Sequence, residues 1–143
     1  MAVDYVKIAH ERINSLIRKD GKIQVTTSQI RKILSAANSI NNKLLALVAN
    51  GKIQNDKLPE EIINDLLSFK VLIIYQSARE KIVKDFVEKT KLIDELENVG
   101  ESVTKLKNYF KYIEALVAYH KFEGGRDRWV WILYLGKYLL KEK

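Results

Sequence analysis

The chain has 143 residues, 47% of them hydrophobic, with a net charge of +7 at neutral pH, which is one domain's worth of sequence with enough apolar content for a core. It contains no cysteine, so disulfide frameworks, thiolate zinc sites and cysteine nucleophiles are excluded together. The charge is uneven: residues 1–50 carry a net +5, residues 51–100 a net −2 and residues 101–143 a net +4, a distribution that suits contact with a polyanion and also suits ordinary solubilising surface.

Residues 3–19 read as an amphipathic packing helix, with Val6, Ala9, Ile13, Leu16 and Ile17 on one face and Lys7, Glu11, Arg12 and Arg18 off it. Charges at Asp4, Lys7, Glu11 and Arg12, with His10, break up any signal-peptide core, and a cytoplasmic location is expected. Asp20-Gly21 ends the helix. The second helix starts from a capping box, Thr26 with Gln29 three residues on. Ile30, Ile33, Leu34, Ala37, Ile40, Leu44, Leu47 and Val48 make its core stripe. Its other face carries Arg31, Lys32, Ser35, Asn38, Ser39 and Asn42, side chains that reach phosphate and sugar oxygens without demanding a particular base. A plain solvated face would carry the same residues. Asn50-Gly51-Lys52 stops the helix, and residues 51–58 form a polar loop.

From Pro59 to Val99, 41 residues run without a glycine or proline after the first position. Pro59, Glu60 and Glu61 suit a helix start, and Gly100 suits a left-handed C-cap. The stretch Leu66–Tyr75 is apolar on nearly every side, which predicts cover by other helices or by a partner subunit, and at ten residues it is too short to cross a bilayer. Tyr75 and Arg79 follow on one face. An unbroken helix of this length outreaches a domain of this size, so a kink or break is expected near Thr90. Ser102 caps the next helix, whose stripe is Val103, Leu106, Phe110, Ile113, Val117 and His120, with Lys105, Lys107, Asn108, Lys111 and Tyr112 elsewhere. That helix closes at Gly124-Gly125. A last helix, from about Asp127 to Lys141, carries Trp129 on one face and Trp131, Tyr134 and Tyr138 on the other, as a helix between its own domain and a second protein would.

Catalytic chemistry is hard to assemble from these residues. The two histidines, His10 and His120, are separated by most of the chain, and neither a metal-ligand spacing nor a glycine-rich phosphate loop is present. No enzyme activity, metal or cofactor is expected. The predicted fold is all-α: a compact single-domain bundle of about five helices over residues 1–143, built on the long central helix.

Four stretches taken in order carry a resemblance. They are Thr27-Ser28-Gln29-Ile30-Arg31-Lys32-Ile33-Leu34, Leu58-Pro59, Tyr75-Gln76-Ser77-Ala78-Arg79, and Val117-Ala118-Tyr119-His120-Lys121-Phe122 with Gly124-Gly125. Across residues 26–125 they resemble the small helical subunit of type III-A (Csm) CRISPR effector complexes; residues 1–20 and 126–143 lie outside the resemblance. It implies a non-catalytic structural subunit for antiviral defence, stacking in several copies as a short filament and lining the channel taken by target RNA. The partners implied are target and guide RNA, other subunits of the complex, and further copies of the chain, including a dimer in isolation; no membrane is implied. On this basis Arg31, Lys32 and Arg79 are expected on RNA phosphates, with Thr27, Ser35, Asn38 and Tyr75 in support, and Lys121, Arg126 and Arg128 near the double glycine. An ion pair of Arg79 with Glu80 or Asp85 is the structural alternative. At the level of function, the alternative is a helical protein–protein adaptor.

Overall fold

The computed structural model describes residues 4–124, so Arg126, Arg128 and the aromatic C-terminal stretch lie outside the described residues. The described residues form α1 (Tyr5–Asn14), β1 (Arg18–Lys19), β2 (Lys22–Ile23), α2 (Thr27–Ala49), α3 (Glu60–Arg79), α4 (Lys81–Lys89), α5 (Leu92–Val99) and α6 (Val103–Phe122). The fold is all-α as predicted, with one small hairpin added.

The hairpin corrects the reading of residues 3–19 as one helix. Asp4 caps α1 by accepting from the Lys7 amide at 3.0 Å, and Ser15 closes its far end with a hydroxyl bond to the Arg12 carbonyl at 2.6 Å. The chain then turns through Asp20 and Gly21, both at positive φ (54° and 78°), as the favoured two-residue hairpin turn requires. Arg18 faces Ile23 and Lys19 faces Lys22 across the antiparallel pair. Leu16, Ile23 and Val25 are buried and anchor the hairpin to the core, whereas Ile17 is exposed. A helical period that continues through Leu16 and Ile17 masked the Asp-Gly turn signal.

Helix α2 begins with both halves of the capping box: the Gln29 amide donates to Thr26 Oγ1 at 3.2 Å, and the Thr26 amide donates to Gln29 Oε1 at 2.9 Å. Ile30, Ile33, Leu34, Ala37, Ile40 and Leu44 are buried along one stripe. The stop at Asn50-Gly51 is also as read, with Gly51 at φ 67°.

The long stretch after Pro59 is three helices. The expected interruption near Thr90 is present, with Lys91 in the left-handed region at φ 53° and ψ 38°. A second break falls at Glu80, which is fully extended at φ −139° and ψ 124°. A straight helix over this length would run to about 60 Å and leave the core. The two breaks instead fold Val83, Phe86 and Val87, then Leu92, Leu96 and Val99, back into it. Gly100 has the positive φ expected of it (57°), but its ψ of −124° lies outside the left-handed helical cap geometry.

The Thr90 break is held from α6. The Tyr112 hydroxyl donates to the Thr90 carbonyl, Arg12 Nη1 donates to the same carbonyl at 3.3 Å, and Arg12 Nη1 also donates to the Tyr112 oxygen at 3.0 Å. Tyr109 donates to the Leu92 carbonyl at 2.9 Å on the far side of the break. Burial pushes the Tyr112 phenol above its usual range against the opposing Arg12 bond, so it stays protonated and keeps donating. The sequence reading placed Tyr112 off the core stripe of α6. It is buried instead, because the break in the neighbouring segment presents a backbone carbonyl to it.

At its start, α6 is capped by Ser102, which accepts from the Lys105 amide at 3.2 Å. Asp56 reinforces the cap from the preceding loop, accepting from the Thr104 amide at 2.9 Å, the Thr104 hydroxyl at 2.7 Å and the Ser102 hydroxyl at 2.6 Å. Helix α6 packs against α1, α2 and α5, while α3 covers α2 and continues into α4. Among the described residues no helix is long and apolar enough to cross a membrane.

The stretch Leu66–Tyr75 is covered on one side only. Leu66, Phe69 and Ile73 are buried, whereas Leu67 (60% exposed), Val71 (65%), Ile74 and Tyr75 form an open apolar stripe. Of the two kinds of cover predicted, other helices of this chain supply half.

Tyr112→Phe should destabilise the fold by about 1–2 kcal/mol, because it strips a buried donor from the Thr90 carbonyl and an acceptor from Arg12. The midpoint of urea unfolding at neutral pH, compared with wild type, measures this.

Candidate nucleic-acid interface

Helices α2 and α3 run antiparallel, and a cross-link fixes their register. Lys43 Nζ lies 3.0 Å from Asp65 Oδ2 and 3.6 Å from Glu61 Oε2. A groove of about 360 Å³ follows the seam, lined by Ala36, Ser39 and Ile40 on one side and Ser68, Phe69 and Leu72 on the other. This register brings the first turns of α2 beside the last turns of α3. Arg31, Lys32 and Ser35 therefore lie at the same end of the helix pair as Tyr75 and Arg79, and all five are exposed.

Part of the cationic surface is taken up in ion pairs. Lys70 is matched with Glu97 at 2.8 Å, Lys84 with Glu88 at 3.8 Å and Lys89 with Asp85 at 2.9 Å. Among the described residues no carboxylate pairs with Arg31, Lys32 or Arg79. The alternative partners proposed for Arg79 do not take it. Asp85 is held by Lys89 and also accepts from the Ile17 amide at 3.2 Å. The Arg79 guanidinium instead sits 5.8 Å from the centre of the Tyr75 ring, the one-face relation read from their spacing.

Thr27 departs from the expected set. It is 1% exposed and belongs to the core at the start of α2, so its side chain is withdrawn from the surface that Arg31 and Lys32 share. Its place just inside the cap explains this: the capping box that starts the helix turns the next residue inward. Asn38 is half-buried, on the same helix as the exposed cations.

Lys121 lies in the last turn of α6. Its neighbour His120 is completely buried, and His120 Nε2 donates to the Val25 carbonyl at 2.8 Å, which requires the proton on Nε2. The end of α6 is thereby pinned beside the start of α2, with Lys121 partly exposed there. His120 is committed to this tie, which removes it as a surface base. Among the described residues no group of three His, Asp or Glu side chains is placed to hold a metal ion.

The other histidine joins α1 to the same end of α6. The His10 ring stacks on Tyr119 at 4.1 Å with the planes 7° apart. His10 Nε2 lies 2.9 Å from Glu123 Oε2, and Arg18 Nη2 lies 3.4 Å from Glu123 Oε1. The His10 hydrogen bond, then Arg18, hold the Glu123 carboxyl below its usual range. Neither this cluster nor the hairpin is legible in the sequence: His10 is distant from Glu123 in the chain, and Asp20-Gly21 reads as a helix stop that opens a short connection.

Fold and surface together define a small helical protein with a basic, unpaired end built from the α2–α3 pair. A family model described as Csm2 Type III-A matches residues 4–126, and the chain belongs to that family. The match takes in α1, outside the stretches that carried the resemblance. A relative from Streptococcus thermophilus, called CRISPR system Cms protein Csm2, is 39% identical over 119 residues, covering 82% of this chain and 89% of that one. One of the same description from Mycobacterium tuberculosis is 34% identical over 125 residues, covering 87% and 95%. Another, from Enterococcus italicus, is 38% identical over 101 residues, covering 68% and 67%.

A depressed folded-state carboxyl at Glu123 implies stability that is present at neutral pH and lost as pH falls below the ordinary glutamate range. Glu123→Gln should therefore lower the melting temperature at about pH 7, and its difference from wild type should shrink as pH falls through the folded carboxyl's titration. Thermal melts across that range test it.

Proposed function

We propose that this chain is a non-catalytic structural subunit of a type III-A CRISPR ribonucleoprotein effector and contacts the target and guide RNA backbone without reading sequence. Membership of the Csm2 family supports the effector role. The observation that carries the RNA reading is the set of uncancelled cations at one end of the α2–α3 pair, Arg31, Lys32 and Arg79, with Ser35 and Tyr75 beside them. Guanidinium and ammonium groups bind phosphate oxygens, Ser35 adds a hydroxyl, and Tyr75 adds an aromatic surface that holds Arg79 in place. Such contacts fix a strand's position and leave its sequence to base pairing with a guide.

The open stripe of Leu67, Val71 and Ile74 is the counterpart for protein partners. Three large apolar residues on successive turns of one helix, exposed together, favour contact with a neighbouring subunit, including another copy of the chain. Head-to-tail stacking needs two different faces on each copy, and this stripe supplies one.

Titration into two unrelated single-stranded RNAs at several salt concentrations tests the reading. Equal affinity for both and a steep loss with salt are expected. Arg31→Ala and Arg79→Ala should each lower affinity for both sequences alike and reduce the log–log salt slope by about 0.7. Unchanged affinity and slope in both variants would sink the phosphate assignment. Val71→Asp should weaken self-association in sedimentation velocity and incorporation into the complex, while the RNA slope stays as in wild type.

A further inference from the structure

A second exposed group lies away from the α2–α3 pair. The hairpin formed by β1 and β2 places Lys19 directly opposite Lys22, and Arg18 precedes Lys19. Like charges facing each other across an antiparallel pair are unfavourable, and an anion between them removes the cost. Among the described residues neither Lys19 nor Lys22 has a carboxylate partner, and both are exposed. The hairpin is also held rigidly. Ile23 and Val25 are buried beneath it, the Gln24 amide donates to the Ile17 carbonyl at 2.9 Å, and His120 holds the Val25 carbonyl.

Phe122 stands beside it, 76% exposed on the last turn of α6. Its ring makes T-shaped contacts with Tyr119 at 6.3 Å and His10 at 6.2 Å, which hold it without covering it. Arg18 connects the two features: it donates to the Gly21 carbonyl at the hairpin turn and lies 3.4 Å from Glu123, the residue after Phe122. An open aromatic ring one residue from the point where the hairpin's Arg18 meets α6, together with the hairpin cations, matches a nucleotide, which offers a flat base and a phosphate.

We infer that the hairpin and Phe122 form a second RNA site, in which Lys19 and Lys22 bind phosphate and Phe122 stacks on an unpaired base. The inference rests on the RNA reading above and extends it: the α2–α3 end holds backbone alone, whereas this site requires a base. The α2 helix starts four residues after Ile23, so the two cation groups follow one another along the chain.

The test uses the full-length chain with single-stranded RNA and a matched strand carrying abasic residues, circular dichroism confirming that each variant is folded. Phe122→Ala should weaken binding to the base-bearing RNA about tenfold and leave the abasic strand unaffected. Phe122→Trp should restore binding. Lys19→Ala/Lys22→Ala should weaken both strands and reduce the salt slope by about 1.4. If Phe122→Ala binds base-bearing RNA as wild type does, or loses both strands equally, the stacking role is overturned, and the ring is left as a protein-contacting surface. If the Arg31 and Arg79 variants lose affinity while the Phe122 and Lys19/Lys22 variants do not, this inference falls and the proposed function stands. A wild-type chain that binds neither strand at low salt overturns both.

Discussion

The carbonyl of Thr90 is the point on which the bundle turns. It sits where α4 ends, and two donors from different parts of the chain converge on it, the Tyr112 hydroxyl from α6 and the Arg12 guanidinium from α1. Arg12 also lies 5.5 Å from the centre of the Tyr112 ring, so the three groups hold one another. A helix end leaves backbone carbonyls without partners, and burying one unsatisfied would cost about 1–3 kcal/mol. Here the buried end is satisfied by side chains, which lets the chain reverse into α5 inside the core. Without that satisfaction, the segment from Glu60 to Val99 would have no means of packing its later apolar stripes against α6.

The surface follows from this arrangement. With α4 and α5 turned back toward α6, one side of α3 lies against α2, and the Lys43 pairing with Glu61 and Asp65 sets the register. That register gathers Arg31, Lys32, Tyr75 and Arg79, which are separated by more than forty positions in the chain. The same placement leaves Leu67, Val71 and Ile74 uncovered. A cationic end and an apolar side on one helix pair thus come from a single packing decision, and the proposed function rests on both.

Histidines 10 and 120 show how residues usually read for chemistry can serve architecture. His120 is buried and fixes α6 to the segment that leads into α2. His10 clasps the end of α6 through a ring stack and an acid partner. Both ties close the end of the molecule where the hairpin, α2 and α6 meet, which keeps Lys19, Lys22 and Phe122 in a constant relation.

Local rules in the sequence determined much of this protein. The capping box at Thr26, the cap at Ser102, the stop at Asn50-Gly51, and the buried stripes of α2 and α6 depend on residues within a turn or two of one another, so spacing alone reveals them. The pairing of Tyr75 with Arg79 was legible for the same reason. Other features depended on contacts between distant segments. The break at Glu80 carries no glycine, proline or capping side chain, and it exists because the core lies to one side of α3. Burial of Tyr112 and exposure of Val71 were decided by which helix came to lie alongside. Periodicity says that a helix has an apolar face; only the packed neighbours decide which part of that face is covered and which is left for a partner.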